Sequence, residues 1–172
     1  MTAPPPEFCR PVPLGRIGPD GFRQTIEATA EERERLARRF GLMSLDRLTA
    51  TVDLKRGSGT TIALEAAFEA EFVQECVVSL EPVRDKISQS FALCYGPPGE
   101  AAAEIELDAD EIAFEPLDGD AIDIGEAVAQ ELSLTLPPFP RDPEAVLEDT
   151  ATAKPEESAF AALARWRSRE RG

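Results

Sequence analysis

The chain has 172 residues, with 33 Asp and Glu against 18 Lys and Arg, for a net charge of −15. That length supports one domain with a genuine core plus tails. The charge opposes non-specific nucleic-acid binding, which needs basic groups to release counterions from a polyanion, and the absence of histidine excludes imidazole bases, Ser-His-Asp triads and His metal ligands.

Residues 1–7, with Pro4, Pro5 and Pro6, read as a flexible tail. Phe8, Val12 and Leu14 share a parity and predict a short extended segment, which Pro11 and Pro13 confine to a sheet edge because they lack an N–H. Gly18-Pro19-Asp20-Gly21 is a turn. Phe22, Gln24, Ile26 and Ala28 then alternate with Arg23, Thr25 and Glu27, a strand with one polar inward position. Thr29-x-x-Glu32 is a capping box, in which hydroxyl and carboxylate each satisfy an orphan backbone donor. The helix EERERLARRF has acids in its first turn and Arg38 and Arg39 in its last, matching the helix dipole, and Gly41 stops it. Leu36 and Phe40 are its apolar face. Arg33, Arg35, Arg38 and Arg39 form either a basic surface that touches RNA or, on the plainer reading, a solvated face with internal Glu–Arg pairs.

Three long strands are predicted next. Leu48, Ala50, Val52 and Leu54 alternate with Arg47, Thr49, Thr51 and Asp53; Arg56-Gly57-Ser58-Gly59 turns the chain; Ile62, Leu64, Ala66, Phe68, Ala70 and Phe72 alternate without a break. After the run FVQECVVSLEP at 72–82, Val83, Ile87, Phe91, Leu93 and Tyr95 again share a parity. Each strand thus has one apolar and one wet face, and their order and short turns predict an antiparallel meander. From Ile87 to Pro140 there are 12 acids and no Lys or Arg. Short extended pieces are expected around Ile105 and Leu107 and around Ile112, Phe114 and Leu117. Asp123 caps a second helix, with Asp123-x-x-Glu126 repeating the cap chemistry and Ile124, Val128 and Leu132 as its core stripe. Pro137, Pro138 and Pro140 end it. Residues 141–157 read as an acidic, disordered linker, and 158–172 as a basic C-terminal helix anchored by Phe160 and Leu163.

The stretch Gln74-Glu75-Cys76-Val77-Val78-Ser79-Leu80-Glu81-Pro82-Val83 resembles the central signature of the YceD-like family, the large ribosomal RNA subunit accumulation proteins, with Gln74, Cys76, Leu80 and Pro82 as signature residues. Many members carry Cys-x-x-Cys here; this chain has Cys76 followed by Ser79, like a Cys-poor branch. The run DGDAIDIGEAVAQELSLTLPPFP at 118–140 resembles the family's Ile-Asp-Leu helix with its Leu-x-Leu-Pro exit, and SAFAALARWRSRER at 158–171 its C-terminal tail. The resemblance implies a cytoplasmic, bacterial, non-enzymatic role in accumulation, processing or stability of large-subunit ribosomal RNA. The family's genes often neighbour one for a large-subunit ribosomal protein.

The residues themselves offer little catalytic chemistry. Cys9, Cys76 and Cys94 are too dispersed for a thiolate zinc site, and Ser79 is a poor ligand, so Cys76 reads as a small buried hydrophobe at a strand end. Three scattered cysteines fit reduced thiols better than a disulfide framework. Asp108-x-Asp110-Glu111 lacks the register of a calcium loop. No Gly-rich phosphate loop, nucleophile–base pair, membrane span or secretory signal is visible. No cofactor is expected.

Two binding candidates remain. Arg165, Trp166, Arg167, Arg169 and Arg171, with Arg35, Arg38 and Arg39, are candidate RNA contacts, since guanidinium groups fork onto phosphates and an indole stacks on bases. Glu104, Glu106, Asp108, Asp110, Glu111, Asp118 and Asp120 are a candidate surface for a basic large-subunit ribosomal protein, and the net charge favours this second mode. The expected fold is α+β: an antiparallel sheet of five or more strands in one domain at 8–140, with two main helices and a tail helix. An acidic interaction or chaperone-like module unrelated to ribosomes is the alternative.

Overall fold

The computed structural model describes residues 6–57, 59–97, 113–117 and 119–145. In order these form β1 (Pro11–Pro13), a 3-10 turn at Leu14–Arg16, β2 (Phe22–Glu27), α1 (Ala30–Phe40), β3 (Ser44–Arg56), β4 (Ile62–Glu75), β5 (Pro82–Gly96), β6 (Ala113–Pro116), β7 (Ala121–Asp123) and α2 (Ile124–Thr135). The main sheet has the order β2-β3-β4-β5-β6, and β1 pairs separately with β7. The chain is α+β as expected, and β2 to β5 are the antiparallel meander.

The sheet as a whole is mixed, which corrects the expectation of an antiparallel one. β6 runs parallel to β5, pairing Leu93 with Ala113 and Cys94 with Phe114. A parallel neighbour needs a return crossover of roughly a dozen residues or more, and residues 97–112 lie between the two strands. The expected strand around Ile105 and the tail helix lie outside the described residues.

The long strands exist because their alternation is uninterrupted. Ile62, Leu64, Ala66, Phe68, Ala70 and Phe72 of β4 are all buried, and so are Leu48, Ala50, Val52 and Leu54 of β3. α1 packs against β3, and α2 against β1 and β4, covering this face. Ile124, Val128 and Leu132 of α2 are fully buried, as the helical spacing predicts. β5 lies at the margin of that cover, so Ile87, Phe91, Leu93 and Tyr95 only half bury against the core. Phe91 meets Phe68 edge to face at 6.2 Å between centroids.

Both helix starts are made as read, with one difference. Thr29 Oγ1 accepts from Glu32 N–H and the Glu32 carboxylate accepts from Thr29 N–H, closing the capping box, and Gly41 ends α1 at φ 66°. Asp123 Oδ1 accepts from the N–H groups of Gly125, Glu126 and Arg10. Glu126 does not complete a second box; its carboxylate instead binds Arg39 at 2.8 and 3.0 Å. Gly125 is required here, because a Cβ would overlap the Phe8 carbonyl where the N-terminal segment crosses α2.

Candidate functional site

The turn between β4 and β5 is built around Cys76. Its N–H donates to Glu81 O and its carbonyl accepts from Leu80 N–H, which closes residues 76–81 into a compact knuckle. Inside it, Cys76 Sγ accepts three backbone N–H groups, from Val78, Ser79 and Asp142, each at 3.4 Å. The thiol is fully buried. Its pKa is lowered to about 7, first by the Asp142 N–H, then by the Ser79 hydroxyl and N–H; burial opposes this. Donors aimed at sulfur favour the thiolate.

The third donor comes from a strap that follows α2. Gln74 Nε2 donates to Pro137 O at 3.1 Å, Val77 N–H to Pro140 O at 2.9 Å, and Asp142 N–H to the sulfur. The signature residues therefore converge: Gln74 and Cys76 bind the strap, Leu80 closes the turn, and Pro82 begins β5. The reading of Cys76 as a buried small residue holds, but its sulfur also gathers backbone donors from two segments. Sequence reasoning missed the strap; the only trace of it is the proline-rich exit that brings the chain back over the turn.

The knuckle presents apolar groups to solvent. Leu80 is 66% exposed, Val77 53% and Phe139 78%, and Met43, whose N–H bonds Val73 O, is 55% exposed nearby. Leu80 also has φ 62°, the only non-glycine residue with positive φ among those described. A branched side chain in that region costs about 1–2 kcal/mol. Carboxylates rim this end: Glu75, Glu81 and Glu144 are exposed, beside Asp142.

The other candidates fare differently. Arg39 is held by Glu126 and Glu7, and Arg33 donates to Ala28 O. Arg35 and Arg38 are exposed. Arg10 forks onto Glu32, and this guanidinium holds the Glu32 carboxyl down at about 2. Of the acidic set only Asp120 is described; it is exposed and its carbonyl accepts from Leu14 N–H. Glu104, Glu106, Asp108, Asp110, Glu111 and Asp118 lie outside the described residues, as do Arg165, Trp166, Arg167, Arg169 and Arg171. The three cysteines do not converge. Cys94 sits opposite Ala63 on β4, at the other end of the hairpin from Cys76. Cys9 lies by Asp123, which pushes its thiol up to about 11. Among the described residues no group of three or more Cys, Asp or Glu is placed to hold a metal ion, and no helix is long and apolar enough to cross a membrane.

The family profile described as "Large ribosomal RNA subunit accumulation protein YceD" matches residues 64–164, more than half of the chain, and includes the hairpin, its knuckle and α2. No curated protein and no solved structure matched. On this match the chain belongs to the YceD family of large ribosomal RNA subunit accumulation proteins.

Proposed function

We propose that the protein is a non-enzymatic, cytoplasmic factor in biogenesis of the large ribosomal subunit. It supports accumulation of the subunit's RNA by holding a basic ribosomal protein. The observation that carries this reading is charge: −15 overall, with 12 acids and no Lys or Arg between Ile87 and Pro140. An acidic surface attracts a basic partner and shields it until RNA displaces it. The use of Arg39 and Arg33 in internal contacts supports the same choice, because it leaves α1 with less cationic surface for phosphate. The protein then works without cofactor or metal.

Direct contact with ribosomal RNA is the second reading. It is favoured by exposed Arg35 and Arg38 and by four arginines against one glutamate at 165–171. A salt-resolved pulldown from lysate, with and without ribonuclease, separates the two. Recovery of a basic large-subunit protein that survives ribonuclease and weakens with salt is the expected result. It should fail when Glu104, Glu106, Asp108 and Asp110 are changed to their amides and persist when the tail arginines become alanine. Recovery of ribosomal RNA that is lost on truncation after Glu157 would establish the second reading, and enrichment of neither would leave an acidic module that acts away from ribosomes.

A further inference from the structure

Among the described residues the exposed large apolar side chains are Met43, Val77, Leu80, Leu134 and Phe139, and three of these five lie on the knuckle and its strap. Val77, Leu80 and Phe139 belong to two segments joined by the Val77–Pro140 hydrogen bond, and each is more than half exposed. The αL backbone of Leu80 adds strain at the same point. Strain with exposure points to a surface that binds something.

The occupant is indicated by where the chain goes. The described residues end at Ala145, whose N–H bonds Asp142 O, and Asp142 in turn bonds the Cys76 sulfur. Twenty-seven residues, 146–172, therefore leave from the knuckle itself. They contain Phe160, Leu163 and Trp166 at the i, i+3, i+6 spacing of one helical stripe, followed by alternating arginines. From Ala145 to Phe160 a flexible chain has a typical span of about 20 Å, ample to fold back, and such a tether gives an effective concentration on the order of millimolar. Charge matches as well. The tail from Arg165 to Arg171 has four arginines and one glutamate, whereas Glu75, Glu81 and Glu144 are exposed at the knuckle end, beside Asp142.

We propose that the apolar knuckle is the docking site of the chain's own C-terminal segment, 158–171, seated by Phe160, Leu163 and Trp166, with its arginines over the acidic rim. This covers Leu80, Val77 and Phe139 in the free protein. It is independent of which ribosomal partner the protein holds.

Trp166 is the only tryptophan, so it reports on docking directly. In the full chain its emission is expected to be blue-shifted, and its acrylamide quenching constant several-fold below that of a 158–172 peptide. Leu80→Asn combined with Phe139→Ser should raise quenching to the peptide value, and high salt should raise it part of the way. Asn tolerates the left-handed backbone, so the fold should survive, as far-UV circular dichroism will show; Phe139→Ser alone serves if it does not. Peptide-like quenching in the unmodified chain overturns the proposal. So does protection that persists in the knuckle variants, or protection lost on dilution, which would assign the surface to a second copy.

Discussion

The two junctions that close this fold hold their segments by opposite means. Where the N-terminal segment meets the helices, the contacts are ionic and directional: Asp123 collects three N–H groups, Arg10 forks onto Glu32, and Arg39 joins Glu7 to Glu126. Where the strap after α2 meets the β4–β5 turn, the centre is one sulfur with three N–H donors and a rim of exposed apolar groups. The first junction is specified by several directional charged contacts at once. Hydrogen bonds to sulfur are weaker, and the second junction leaves apolar side chains exposed. Of the arginines that look like an RNA surface in sequence, Arg39 belongs to the first junction, while Arg35 and Arg38 stay exposed.

The comparison breaks most visibly at Gly125. Gly125→Ala forces a methyl group against the Phe8 backbone, which cannot swing aside as a side chain would. The expected loss is about 1–3 kcal/mol, read as a lower denaturation midpoint, and β1 should detach from β7, read as faster amide exchange at Val12. An unchanged midpoint would mean that the N-terminal segment is not held against α2.

Next comes the sulfur. Cys76→Ala leaves three N–H groups without their acceptor and should loosen the strap, so that limited proteolysis cuts at 137–145 while the β3–β4 core resists. The thiol's lowered pKa gives this a pH signature. A group whose folded pKa lies below its unfolded value stabilises above the unfolded value and loses that contribution as pH falls through the folded one. The native protein should therefore gain stability relative to Cys76→Ser as pH rises from about 7 to the ordinary thiol range near 8.5–9. A difference that stays flat across this interval would show that the three donors do not favour the thiolate.

How much of this is legible before folding depends on sequence distance. The strands are written in period-2 alternation, and the Thr29 and Asp123 caps in three-residue spacings, so β3, β4, α1 and the stripe of α2 can be read directly. Strand direction is not written in alternation, which repeats identically either way along a strand, so the expectation of an antiparallel sheet misses the parallel β6. The partners of Glu126 and Cys76 are equally hidden. Arg39 is 87 positions from Glu126, and Asp142 is 66 from Cys76; no local pattern joins them. The resemblance marked Gln74, Cys76, Leu80 and Pro82 as a group, but only the fold shows that Gln74 and Cys76 hold the strap.

A smaller effect is expected at Glu32. Arg10 holds its carboxyl at about 2, below the unfolded value near 4.3. The stability it contributes is present above the unfolded value and is lost as pH falls through about 2. Glu32→Gln should therefore flatten the acid limb of the stability profile while leaving the interval above pH 7 to the sulfur. An unchanged acid limb would show that the Arg10 fork is not what sets acid stability at this junction.

The smallest effect has the opposite sign and bears most on the second junction. Leu80→Gly removes a side chain that is 66% exposed and relieves φ 62°. Relief of the left-handed penalty is worth about 1–2 kcal/mol, and the greater freedom of glycine in the unfolded chain returns roughly 0.5–1 kcal/mol of it. The net expectation is a stabilisation of about 0.5–1 kcal/mol, read as a small rise in urea midpoint at unchanged slope, best measured in a chain truncated after Glu157. If the variant is instead less stable in that truncated chain, Leu80 packs within the knuckle and the surface is part of the core. If it is more stable there but less stable at full length, Leu80 gains its worth only when 158–171 is present. The sign of one substitution in two backgrounds then says whether the second junction is finished by the chain's own end.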